Sequence, residues 1–275
     1  MKKNIIILFL SILSIPIISA QKLKGNKNVT VEQREVPAYN AIAVRDKINV
    51  IFTASEVPDV RVETDENLQS TVEVRVNNEM VLEVFLVQEI SRKKALNIFI
   101  GVPESILQIE AQDKVKIKTE GSINAKSLSI TAKDYADLEL NLNCDELFVA
   151  AQDKTNTKII AKNTKNIQLT LNDKSFVKAQ INTAKIDASV QDYASLNLEG
   201  KCEEFVLQTD GNTNIKAKSL ESDYADIKAL DRPNIYVNVS KEIIISVEDM
   251  TEIYLYNEPK IFIDKFTGKS SLYKK

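Results

Sequence analysis

A chain of 275 residues with 36 Lys and Arg against 39 Asp and Glu carries a net charge of −3, and its charges are interspersed. That excludes a nucleic-acid partner, which needs a concentrated basic face. The chain has no histidine, which removes the commonest general base and metal ligand and, with them, the usual Ser or Cys triads; no catalytic residue, metal or cofactor is expected.

In chain order, Lys2 and Lys3 form a basic start, residues 5–18 an apolar stretch interrupted by Pro16, and Ser19 and Ala20 a small-residue cleavage site before Gln21. This pattern predicts a cleaved signal peptide over 1–20 and hence export to the periplasm, the outer membrane or the medium. The stretch is too short and wrongly flanked for a membrane span, and no later stretch is apolar enough for one. Losing Lys2 and Lys3 takes the net charge from −3 to −5. Residues 21–28 read as a flexible basic lead-in. Alternating apolar runs follow at 29–36, 39–44, 48–54, 59–64, 71–76, 80–86 and 96–102, parted by turn signals such as Val36-Pro37, Pro58-Asp59 and Asn77-Asn78. The charged run 88–94 is expected to be a solvated loop. Residues 21–105 are therefore predicted to be a β-rich portion that is continuous with the rest and caps its end.

From Ile106 to Lys260 the chain repeats one unit eight times. Each unit has an alternating run, an aspartate usually followed by Lys or Tyr, a second alternating run and a polar turn. The marker aspartates are Asp113, Asp134, Asp153, Asp173, Asp192, Asp210, Asp231 and Asp249, spaced 18 to 21 residues apart. A fixed period of this size is the signature of a solenoid, and alternation of period two makes its elements strands. Four residues past the marker stand Leu138, Thr157, Val177, Leu196, Ile235 and Ile253; six before it stand Leu128, Leu147, Ile167, Ile186, Ala225 and Ile243. Such columns let each coil cover the apolar interior of its neighbour. The predicted fold is all-β: a parallel β-helix with coils of about 19–20 residues, right-handed because parallel crossovers favour that hand. It occupies 106–275, with residues 257–275 as a C-terminal cap.

Cys144 and Cys202 each lie ten residues past a marker, in one column three coils apart. At about 4.8 Å per coil they stand roughly 14 Å from each other, too far for a disulfide. Two unpaired thiols are expected.

Two sets of side chains are candidates for function. The aspartate row could hold calcium, which takes six to eight oxygens. Aspartate is also a favoured turn former, and Lys114, Lys154 and Lys174 beside the row relieve its charge, so the row is read as a set of turn markers. Carboxylates such as Asp134 and Asp153 would stand about 5 Å apart across coils, which keeps a carbohydrate-active enzyme conceivable. Tyr135 and Tyr193 share a column, and Tyr224 sits in a third Asp-Tyr-Ala triplet out of register with the row. Exposed tyrosines on a flat face can stack on sugars or anchor a protein.

Several stretches carry a family likeness. They are Arg34-x-Val36-Pro37-x-Tyr39-x-x-Ile42-x-Val44, the strand 48–52 (INVIF), 60–68 (VRVETDENL), 103–117 (PESILQIEAQDKVKI) and Gly121-Ser122-Ile123-Asn124. Through these the chain resembles the auto-transporter adhesins with a head GIN domain, common among secreted Bacteroidetes proteins, over nearly all of its length beyond the leader. The family's Gly-Ser-Gly-Asp turns are replaced here by QDY, QDK and NDK. The resemblance implies a β-helix similar to pectin lyases but without their catalytic residues, and a role in adhesion. The expected function is that of an exported, non-catalytic protein binding a surface glycan or a cell-surface protein along its solenoid face. The alternatives are a lyase or hydrolase on the same fold, or a purely structural envelope protein.

Overall fold

The computed structural model describes residues 22–275; the leader expected at 1–20 lies outside them. The chain forms a parallel β-solenoid of about nine turns. Alternation in the sequence becomes alternation in burial. In the strand Asp137–Ala151, residues Leu138, Leu140, Leu142 and Cys144 point inward, and Leu147, Val149 and Ala151 resume the inward series. Two successive outward residues, Asp145 and Glu146, carry the chain round a corner between the two series. Each coil thus has two faces, joined at one edge by this corner and at the other by the aspartate turn.

The predicted columns are the observed registers. Leu138, Thr157, Val177 and Leu196 pair in succession, and the column continues through Ile215, Ile235 and Ile253. Leu128, Leu147, Ile167 and Ile186 do the same and continue through Phe205, Ala225 and Ile243. Thr157 is the polar exception. It is wholly buried, and its Oγ1, like those of buried Thr155 and Ser175, finds no hydrogen-bond partner in the protein. A buried hydroxyl without a partner costs more than the isosteric methyl that could replace it. Thr157→Val is therefore expected to stabilise by about 1 kcal/mol and to raise the thermal midpoint by about 2–4 °C, as read by far-UV circular dichroism.

The N-terminal portion enters the solenoid out of order. Strands Ala41–Val44 and Asn49–Ala54 form a complete coil that stacks on Gln108–Ala111 and Lys116–Glu120. On its other side this coil pairs in parallel with Val81–Leu86 and Leu96–Val102, made later in the chain. Between the two passes the chain lays down Val60–Asp65 and Val72–Val76. The first pairs antiparallel with both Val29–Arg34 and Leu96–Val102, the second with Val81–Leu86. The 3-10 turn Glu66–Thr71 drops Leu68, fully buried, into the end of the core. The N-terminal end is thereby edged by antiparallel strands instead of a parallel coil.

The lead-in 21–28, expected to be flexible, and the run 88–94, expected to be a solvated loop, are largely exposed but paired with each other: Leu23–Lys24 and Ile90–Arg92 pair in parallel, and Lys22 Nζ reaches Glu89 Oε1 at 2.6 Å. Backbone pairing between two polar segments leaves no apolar alternation to read. The stretch 257–275, expected to cap the C-terminal end, is built as one more coil. Lys260–Phe266 and Ser271–Lys274 continue both faces, and among the described residues nothing covers them.

Both thiols are free and buried. Burial pushes Cys144 up to about 11 and Cys202 up to about 12, against an ordinary value of 9.0. Tyr39 is also shifted upward, first by burial and then by Asp59, while its hydroxyl donates to the Gly101 carbonyl. A group whose folded-state pKa is raised contributes stability that is complete below its unfolded value and is lost as pH rises through the folded one. The protein is expected to lose stability progressively above pH 9 in denaturant titrations. At pH 8 its thiols should react with Ellman's reagent only after unfolding.

Candidate functional site

The aspartate turn forms one long edge of the solenoid. Asp113, Asp134, Asp153, Asp173 and Asp192 have φ between 61° and 64°, and Asp231 and Asp249 have 66° and 63°. This left-handed region is one that aspartate, with its short polar side chain, tolerates better than most residues. The main-chain ladder runs unbroken through the edge: the Tyr135, Lys154, Lys174 and Tyr193 amides donate to the carbonyls of Asp113, Asp134, Asp153 and Asp173 at 2.8–2.9 Å. The carboxylates face the turn itself. Asp113 Oδ2 accepts from the Asp46 amide at 3.2 Å, Asp153 Oδ2 from the Asp134 amide and Asp173 Oδ2 from the Asp153 amide, both at 3.4 Å. They act as turn acceptors.

Two details of the row differ from expectation. Asp210 is not in the turn conformation. Gly211 pairs with Asp192 and takes the positive φ, 95°. A Cβ at Gly211 would meet the Asp192 carbonyl oxygen at 2.6 Å, so the backbones approach here more closely than a side chain allows. The row also begins earlier, with Asp46 at φ 74°, whose carboxylate accepts the Leu86 amide at 2.8 Å. The dipeptide Asp46-Lys47 repeats Asp113-Lys114 and could have revealed it.

The residue after each marker stands outside the turn, and in successive coils this column reads Lys114, Tyr135, Lys154, Lys174, Tyr193. Tyr135 is 53% exposed and Tyr193 60%. Lys114 and Lys154 flank the Tyr135 ring with Nζ 5.7 and 5.3 Å from its centroid, and Lys174 Nζ lies 5.9 Å from that of Tyr193. The two tyrosines bound a shallow groove of about 380 Å³ whose lining also includes Lys154, Lys174 and the marker aspartates Asp134, Asp153, Asp173 and Asp192. Along it a column of four aspartates runs beside a column in which two lysines stand between the two aromatic rings. Tyr224 is not part of it. That residue pairs with Glu204 and Glu242 at the opposite corner, with Lys241 Nζ 5.4 Å above its ring.

A second aromatic feature lies toward the C-terminal end of the solenoid. Tyr236, Tyr254 and Tyr273 stack face to face in successive coils, with centroids 4.5 and 5.0 Å apart and ring planes within 8° and 19°. The Tyr254 hydroxyl donates to Glu252 at 2.8 Å, which, with burial and the neighbouring charges, pushes its pKa up to about 12. Their 18- and 19-residue spacings match the marker period, which is the signal that would have found them. Because the rings cover one another, the stack braces the end of one face.

A family model described as "Putative auto-transporter adhesin, head GIN domain" matches residues 38–162 and again 154–259. No curated protein matches the chain. Among solved structures, a putative adhesin from Parabacteroides distasonis ATCC 8503 is similar with a TM-score of 0.68 at 13% identity. A putative adhesin from Parabacteroides merdae ATCC 43184 gives 0.65 at 14%, and a putative lipid binding protein from P. distasonis ATCC 8503 gives 0.62 at 14%. Each alignment covers 93% of this chain and 100% of the other. At such identities the likeness is one of fold. No helix among the described residues is long and apolar enough to cross a membrane.

Proposed function

Because the chain belongs to the family described as putative auto-transporter adhesin, head GIN domain, we propose that it is an exported, non-catalytic, adhesin-like protein that binds a neutral surface glycan along its turn edge. The observation that carries this reading is the groove between Tyr135 and Tyr193. Its tyrosines stand three coils apart, roughly 14 Å at the inter-strand spacing, a span that suits an extended oligosaccharide. Exposed phenol rings offer apolar faces to sugar rings at low entropic cost. Sugar hydroxyls both donate and accept, so a groove with ammonium donors and carboxylate acceptors in neighbouring columns suits them. The lining carries four aspartates against two lysines, which disfavours an acidic polymer.

The test is an array of neutral and acidic glycans probed with and without calcium, following both retention and the release of shorter sugars. Retention of neutral glycans without release is expected, with the double substitution Tyr135→Ala and Tyr193→Ala weakening binding about tenfold and Tyr224→Ala leaving it unchanged. Release of shorter sugars would overturn the non-catalytic reading and favour the carbohydrate-active one. Unchanged retention in the double variant would remove the groove as the site.

A further inference from the structure

Among the described residues, the last coil of the solenoid is uncovered on its outer side. In the body of the protein Ile243, Ile245 and Val247 point inward and are fully buried. Their partners in the last coil, Ile261, Ile263 and Phe266, are 45%, 55% and 37% exposed. Every residue of Lys260–Phe266 is exposed. Among the described residues that strand pairs on one side only, with Asn234–Val247, and Ser271–Lys274 pairs only with Glu252–Tyr256. An apolar strand whose outer amides and carbonyls are unpaired is a template for another strand.

Lys260-Ile261-Phe262-Ile263-Asp264 reads as its own complement. In an antiparallel register centred on Phe262, Lys260 lies opposite the partner's Asp264 and Ile261 opposite the partner's Ile263. Opposite charges facing each other across strands, with apolar pairs between them, stabilise such a pairing. Head-to-tail stacking would set a parallel coil against an N-terminal end edged by the antiparallel strands Val29–Arg34 and Val72–Val76 rather than by a coil. A two-fold axis running through both faces pairs each terminal strand with its own copy, giving a closed, isologous contact. We propose that two copies of this chain join tail to tail through Lys260–Phe266, extending one solenoid into the other and burying Ile261 and Ile263.

Sedimentation velocity across micromolar concentrations tests this. The wild-type protein is expected to be a dimer. Lys260→Asp alone, or Asp264→Lys alone, places two like-charge pairs in the contact and should weaken the dimer about tenfold or more. The double variant Lys260→Asp/Asp264→Lys restores complementary pairs and should restore the dimer. Both side chains are exposed, so circular dichroism should show the same fold in all variants. A monomeric wild type, single reversals that leave the dimer intact, or a double variant that fails to recover it would each overturn the proposal.

Discussion

Gly200→Ala should cost the protein about 3–5 kcal/mol and lower its thermal midpoint by roughly 10 °C. Gly200 has φ +117°, outside what a residue with a Cβ adopts without strain. It pairs with Ile181 in one neighbouring coil and with Leu220 in the other. A Cβ built there would stand 1.9 Å from the Ile181 carbonyl oxygen and 2.9 Å from its carbon. Both atoms belong to the hydrogen-bonded ladder and cannot rotate away as a side-chain tip would. The methyl must push two coils apart, and the loss spreads along the corner. Gly121 separates the two contributions. It too has a positive φ, +84°, but nothing lies within 4 Å of its added Cβ. Gly121→Ala should cost only the left-handed penalty, about 1–2 kcal/mol. Equal effects at both sites in thermal melts would show that close approach contributes nothing at Gly200.

Phe205→Ala should be nearly as damaging, at about 3–5 kcal/mol in chemical denaturation. Phe205 is 1% exposed and occupies a column otherwise held mostly by Leu and Ile. Its neighbour in the next coil is Ala225. The large ring beside the small residue keeps the column filled, so truncation leaves two alanines stacked and a cavity beneath them. The swap Phe205→Ala/Ala225→Phe restores the volume one coil further along. It should recover more than half of the loss, because residues in contact couple rather than add. Recovery of none would mean that the ring's position, rather than the pair's volume, sets the stability.

What could be read from the residues followed from the period. Wherever the 18–21-residue spacing holds, the columns, the turn row and the separation of the two cysteines are legible in the residues alone. Where one aspartate stood a residue early, at Asp210 beside Gly211, the period itself pointed to the error: Phe205 and Ile215 fall into their columns only when counted from Gly211. Asp46 lies outside the period because 67 residues part it from Asp113, so only the repeated Asp-Lys dipeptide links the two turns. The antiparallel strands of the N-terminal end have no period, since their partners are chosen by tertiary packing. At the groove, the shared column of Tyr135 and Tyr193 was legible. The placement of Tyr224 at the far corner needed the register.

The coil at residues 41–54 is sandwiched between segments made later, 81–102 and 108–120. During synthesis it waits, with both sides unpaired until residue 102 has emerged and one side until residue 120. Contacts so distant in sequence carry a loop-closure cost that nearest-neighbour coils do not. Once that knot of strands is set, each further coil needs only about 19 more residues to add itself. Folding from that end is therefore expected to begin slowly and to zipper quickly toward the C-terminus. Truncation from the C-terminal side should shorten it coil by coil, whereas loss of the first strands removes the surface on which everything else is laid.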